Sequence, residues 1–496
     1  MLSSRLPKDL SPSPFFAELE RAKASAKKDA AEGGLPFIDM TVSSPVKAGL
    51  PIDLDAAVDE GRESFGCWNP DAAGWKSARE AVVEYYRERG GNFTAGQIIL
   101  TASTSEAYSV LFKTFCDPGD VILTPMPGYP LLDTLAQLEH LECAPYFLKL
   151  KREIASGAAH SRNDKSAAKK NVILSGAKNP VTSTFRFVLD SDSLLAAPER
   201  AKILLLVSPH NPTGHCVSRE EWNEAVRFCE DNNMILVVDE VFGDYAFSDK
   251  VSRSWQYVLD DNQLRRVTRP TKLGMAEPLG WDLRETKVQR RGTRDERENV
   301  ILDRREGIHK DSGCDNSVPN TLWDAGGGDF INLPEDGPKC PIFWLNGLSK
   351  TVGSPQLKLG WMAFYAPREK FEEIRAALEF VEDAYLSVSA PAQAFGMSLL
   401  KQSAAYEARV KERLLTNWQT LRESFPSKYC PEVLGGWYAV VRLGEDDEEL
   451  TLRLLREKHV LVQPGFFFDF DEDGWVVISL LQEPAIFKDA ILRILQ

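Results

Sequence analysis

The chain has no long apolar run. Across its 496 residues no segment approaches the roughly 18 uncharged apolar positions that a membrane span needs, and the opening MLSSRLPKDLSPSPFFAELERAKASAKKD lacks the apolar core of a secretory leader. A cytoplasmic protein is expected. The eight cysteines (67, 116, 143, 216, 229, 314, 340 and 430) are scattered, with no C-x-x-C pair and no His/Cys cluster at zinc spacing. Neither a disulfide framework nor a metal centre is therefore expected, and buried thiols in a reducing compartment account for the cysteines. Basic charge is also short: 59 Lys and Arg against 73 Asp and Glu leave a net charge of -14. A general nucleic-acid binder needs the opposite balance, so small molecules are the expected partners.

What is present is a globular composition, with 43% hydrophobic and 10% aromatic residues in a chain too long for one ordinary core. Short apolar runs at Ile98–Thr101, Val121–Thr124, Ile203–Val207, Ile235–Val238 and Ile342–Leu345 alternate with helix-like stretches at Trp75–Arg89, Ser105–Phe115 and Arg219–Asp231. Continuous apolar strands interleaved with helices predict an α/β fold, a mostly parallel sheet covered on both faces. From about residue 366 the texture changes to long helices followed by short strands, the pattern of a smaller α+β domain. The expected division is a large domain over 51–365 and a small one from 1–50 plus 366–496. Two polar, non-periodic segments, 151–184 and 265–310, read as exposed insertions.

In such sheets ligands gather at the carboxyl ends of the strands. The first run ends in Ser103, Thr104 and Ser105. Ser103 with Glu106 fits a capping box, and the same three hydroxyls at a helix start fit an anion site. The second ends in TPMPGYP, whose Tyr129 can pack or lie flat on a planar ring. The third ends in SPHNPTG with Asn211, either a turn residue or an amide aimed off the strand end. The fourth ends at Asp239, a carboxylate that after four apolar residues must have a partner. The fifth leads into LNGLSKTVGSPQLKLGW. A half-buried lysine at 350 is a nucleophile toward carbonyls, and Lys358 is a point charge suited to phosphate.

TASTSEA, SPHNPTG, VVDEVF, LSKTVGSPQLKLGW and LVQPGFFF, in that order, resemble the class I/II aminotransferases, fold-type-I enzymes that use pyridoxal 5′-phosphate, and look most like a bacterial branch. The resemblance runs from about residue 37 to the C-terminus outside the two insertions. It implies that Lys350 forms a Schiff base with the cofactor and shuttles the proton. Asp239 then holds the pyridine nitrogen protonated, Asn211 bonds the phenolic oxygen, and Tyr129 stacks on the ring. Ser103, Thr104, Ser105 and Lys358 grip the phosphate. An amino acid and a 2-oxo acid are the implied substrates, and a homodimer the implied assembly. The same constellation also serves β-elimination of a sulfur leaving group, and the insertions leave room for a non-catalytic relic.

Several positions depart from the family pattern. Phe242 replaces a usual tyrosine, Gly347 a serine, Lys358 an arginine, and Trp68 a tyrosine that reaches the neighbouring subunit's phosphate. In the last strand, GWVVISLL, Val477 stands where the family commonly has the arginine that binds the substrate's α-carboxylate. Arg442 is the nearest alternative, although an exposed arginine is the commoner case at such a position.

Overall fold

The computed structural model describes residues 13–66, 69–154, 183–248, 251–258, 337–444 and 446–496, with a few positions before residue 13. The insertion at 265–310, Trp68, and residues 155–182 of the other insertion lie outside the described residues.

Eight strands form the main sheet: β2 (Ile98–Thr101), β3 (Val121–Met126), β4 (Glu142–Ile154), β5 (Ser183–Leu189), β6 (Ala201–Val207), β7 (Ile235–Asp239), β8 (Ile342–Gly347) and β9 (Gly360–Tyr365). Their order across the sheet is β2-β9-β8-β7-β6-β3-β4-β5. The central strands β8, β7, β6, β3 and β4 run parallel. β9 runs against β8 and β2, and β5 against β4. The predicted α/β class and the five continuous apolar strands hold. Every residue of β2 and β8 is buried, because helices cover both sheet faces.

Three strands of this sheet escaped the sequence reading. In β9, GWMAFY is wholly buried but follows directly on the Gly-rich lysine stretch. β4 and β5 carry Lys149, Lys151, Arg152 and Arg186 beside apolar positions, as a partly exposed edge does, and pair in register from Leu148↔Leu189 to Ile154↔Ser183. The ends of the 151–184 segment are thus sheet rather than exposed insertion.

Two smaller sheets follow. β1 (Ile38–Asp39) pairs parallel with β11 (Val460–Leu461). β10 (Tyr438–Arg442), β13 (Trp475–Ser479) and β12 (Gln463–Pro464) form an antiparallel sheet in the order β10-β13-β12. The helix Pro14–Ala31 joins this region through an aromatic cluster. Phe15 meets Phe466 edge-on at 5.3 Å, and Phe16 stacks on Phe467 at 5.1 Å. Among the described residues no helix is long and apolar enough to cross a membrane.

Candidate active site

Strand order decides which residues meet. The carboxyl ends of β2, β8, β7, β6 and β3 deliver, across the sheet, Ser103, Lys350, Asp239, Asn211 and Tyr129 to one edge. β7 and β8 are neighbours, with Asp239 in register with Leu345, and Lys350 follows one short turn after β8.

Lys350 projects between aromatic rings. Its Nζ lies 4.9 Å from the Trp437 ring centroid and 5.6 Å from that of Phe242. Burial lowers its pKa from 10.5 to about 8, against the opposing pull of the Asp239 charge. Asp239 is shifted by the same cause in the other direction: burial raises its carboxyl above the ordinary range. The Val241 N–H (3.0 Å), the Tyr108 hydroxyl (2.7 Å) and the Lys350 charge oppose that rise. Burial thus disfavours both charges, and each is the other's countercharge. Tyr108, one turn into the helix Thr104–Phe115, was missed in the sequence, where it looks like any buried aromatic on a helix face. Trp437 was missed for the same reason.

The lysine turn is fixed from behind. The Tyr245 hydroxyl donates to the Lys350 carbonyl (2.7 Å), which is where the tyrosine three residues past Phe242 is used. Asn346 Oδ1 accepts from Gly347 N and the Thr351 hydroxyl, while its Nδ2 donates to the Tyr85 hydroxyl. Tyr85 in turn donates to Asp244, which pairs with Arg89 at 3.0 Å and Arg253 at 2.7 Å. Asp244 is fully buried, and its two guanidinium partners hold its carboxyl below the ordinary range in spite of burial.

Ser103 does cap its helix: its Oγ accepts from Glu106 N at 3.2 Å, and the Glu106 carboxylate reaches back to Ala102 N. Thr104 and Ser105 therefore open the helix, where backbone N–H groups lack intrahelical partners. β9 begins against this turn. A Cβ on Gly360 would lie 3.0 Å from the Ser103 carbonyl carbon, and one on Gly347 would lie 2.9 Å from Gly360 Cα. That explains the absent serine at 347, since opposed glycines let the lysine loop pass close to Ser103. Lys358, exposed and in left-handed backbone (φ 52°), sits two residues before this approach.

Tyr129 is 46% exposed, and partial burial, with the Asp239 charge second, raises its phenol above the ordinary range. The neighbouring Gly128 N–H donates to the Phe468 carbonyl. Asn211 Oδ1 is buried with no partner among the described residues. Arg442 has partners of its own. Its guanidinium pairs with Glu472 and lies 5.8 Å from the Trp475 ring centroid at the surface.

The family description "Aminotransferase class I and II" matches residues 68–264 and 321–486. The chain belongs to that family. Its enzymes use pyridoxal phosphate, and the residues here fit that cofactor: a desolvated amine and a carboxylate within its electrostatic reach. Among aminotransferase relatives, the tyrosine aminotransferase of Caenorhabditis elegans is 24% identical over 42% of this chain and 40% of its own length. The LL-diaminopimelate aminotransferase of Gloeobacter violaceus is 25% identical over 48% and 53%. These matches span only about half of those relatives. A glutamate-pyruvate aminotransferase of Escherichia coli is 20% identical over 90% of this chain and 87% of its own. Among solved structures, an aminotransferase from Escherichia coli superposes with a TM-score of 0.65 at 17% identity, over 99% of this chain and 96% of that one.

Proposed function

We propose that the chain is a pyridoxal-phosphate-dependent aminotransferase, moving an amino group from an amino acid to a 2-oxo acid. The observation that carries this is the Lys350 amine, set between Trp437 and Phe242 within electrostatic reach of Asp239. When bound, the cofactor supplies an electron-withdrawing ring that accepts the electron pair released at the substrate's Cα. Lys350 is the cofactor's attachment point and carries the proton to and from that carbon. Asp239, kept anionic by Tyr108 and Val241 N–H, holds a proton on the ring nitrogen. Tyr129 covers one ring face, and the Asn211 side-chain amide donates an N–H to the ring's oxygen. Thr104, Ser105 and Lys358 hold the phosphate, with Ser103 shaping the turn.

A homodimer is part of the proposal. Phe65, Phe380, Tyr385 and Leu386 are all more than half exposed and offer apolar surface that a second copy would cover. A cytoplasmic setting is proposed with it.

The test is reconstitution with pyridoxal phosphate. A visible-edge absorption band that borohydride abolishes and Lys350→Ala lacks, together with net amino transfer to 2-oxo acids, supports the reading. Absence of the band refutes it. Ammonia and pyruvate released from cystathionine, without amino transfer, would replace it with β-elimination.

A further inference from the structure

The strand order of the main sheet changes direction between β3 and β6, with β4 beyond the one and β7 beyond the other. Ligands gather outside such a junction. The β3–β6 ladder stops at Leu123 and Leu204, although β3 runs on to Met126 beside β4 and β6 to Val207 beside β7. Past that point side chains join the two strands. The Tyr146 hydroxyl reaches from β4 to the Leu205 carbonyl at 2.8 Å, and three residues past the end of β6 comes His210, whose ring is buried.

His210 stands directly before Asn211. Its Nδ1 lies 2.9 Å from the hydroxyl of Thr213, two residues past Asn211. The same ring meets the carbonyl of Pro127, two residues before Tyr129, and its Nε2 bonds no other group among the described residues. A carbonyl only accepts, whereas the Thr213 hydroxyl can donate, so one neutral imidazole satisfies both: Nδ1 accepts and the Nε2 N–H donates. Burial and the neighbouring His215 keep the ring neutral, holding its pKa down at about 3 against the pull of that carbonyl. The other side of the turn is seated by backbone. The Gly214 carbonyl accepts from Leu434 N at 2.9 Å and Gly435 N at 3.2 Å, on the loop that leads to Trp437.

We infer that His210 is a positioning residue: by bridging Pro127 and Thr213 across the parted strand ends it holds the Asn211 amide in a fixed place relative to Tyr129. This rests on the cofactor reading of the Lys350 cleft, in which that amide donates to the ring's oxygen. An N–H donor favours the anionic form of the oxygen, so displacing Asn211 raises the pH at which the bound chromophore loses its proton. His210 stays neutral throughout that range and adds no titration of its own.

The experiment titrates the visible band of protein loaded with pyridoxal phosphate. Asn211→Ala should raise the midpoint by about one pH unit, the size of one hydrogen bond to a charged group. His210→Leu should raise it by about half a unit, and Thr213→Val, which cuts one end of the bridge and spares the histidine, by about 0.3 unit. In the double variant His210→Leu/Asn211→Ala the midpoint should match that of Asn211→Ala alone, because the group being positioned is gone. A general softening of the fold would lower the melting temperature without this pattern. The proposal is overturned if His210→Leu, or Thr213→Val where His210→Leu does not fold, leaves the midpoint within about 0.1 unit of the parent. It is also overturned if Asn211→Ala leaves the midpoint in place, or if the shifts of His210→Leu and Asn211→Ala add. Each of these results leaves the band, and with it the cofactor reading, standing. If the parent shows no band, both fall.

Discussion

The lysine's reactivity can be measured before any substrate is known. Falling from 10.5 to about 8, the Lys350 pKa multiplies the free-amine fraction near neutrality about 300-fold, from roughly 0.03% to roughly 9% at pH 7. The cause is burial between Trp437 and Phe242, and Asp239 limits the fall by stabilising the ammonium. In protein stripped of cofactor, the rate at which added pyridoxal phosphate attaches should rise with pH and level off with a midpoint near 8. Asp239→Asn removes the countercharge and should move that midpoint lower, on the order of one unit. Stability follows the same linkage. Between pH 8 and 10.5 the unfolded lysine holds a proton that the folded one has lost, so stability rises with pH across that window. Lys350→Met should lack this rise. A wild-type attachment midpoint near 10, or one that Asp239→Asn leaves in place, would refute the argument that burial and one carboxylate set this amine.

Tyr108→Phe deletes the 2.7 Å hydrogen bond that helps keep Asp239 charged, so the carboxyl pKa should rise and pyridoxal phosphate should dissociate about tenfold more readily, read by equilibrium dialysis. Arg442→Ala should leave kcat/KM for amino donors within about twofold of the parent and cost about 1 kcal/mol in urea unfolding, since it breaks a half-exposed pair with Glu472 and a contact with the Trp475 ring. Glu382 is fully buried with neither carboxylate oxygen partnered among the described residues, and burial, with the nearby Glu106 charge, raises its pKa to about 8. The folded carboxyl then holds its proton between about 4.5 and 8 while the unfolded one does not, so its contribution is present below 4.5 and lost as pH rises through 8. Glu382→Gln should flatten that decline in a series of melting curves.

The parts of the fold legible in the sequence were those where burial acts on every residue. Ile235–Val238 and Ile342–Leu345 read as strands because both faces are covered, and their ends therefore drew the eye to Asp239 and Lys350. β4 and β5 were hidden by the lysines and arginines of a half-exposed edge, and β9 by the glycines beside it. Tyr108 and Trp437 carry no local sign of their role. An aromatic facing a carboxylate or an ammonium is written in the same letter as one facing leucine.

The polar chain behind Lys350, from Asn346 through Tyr85 to Asp244, Arg89 and Arg253, has an implication for genetics. These side chains meet no reactant, yet they seat the turn that carries the amine. A random screen for inactive clones would recover them beside true active-site lesions. What tells them apart is that interior damage also lowers the melting temperature of protein that has never met the vitamin.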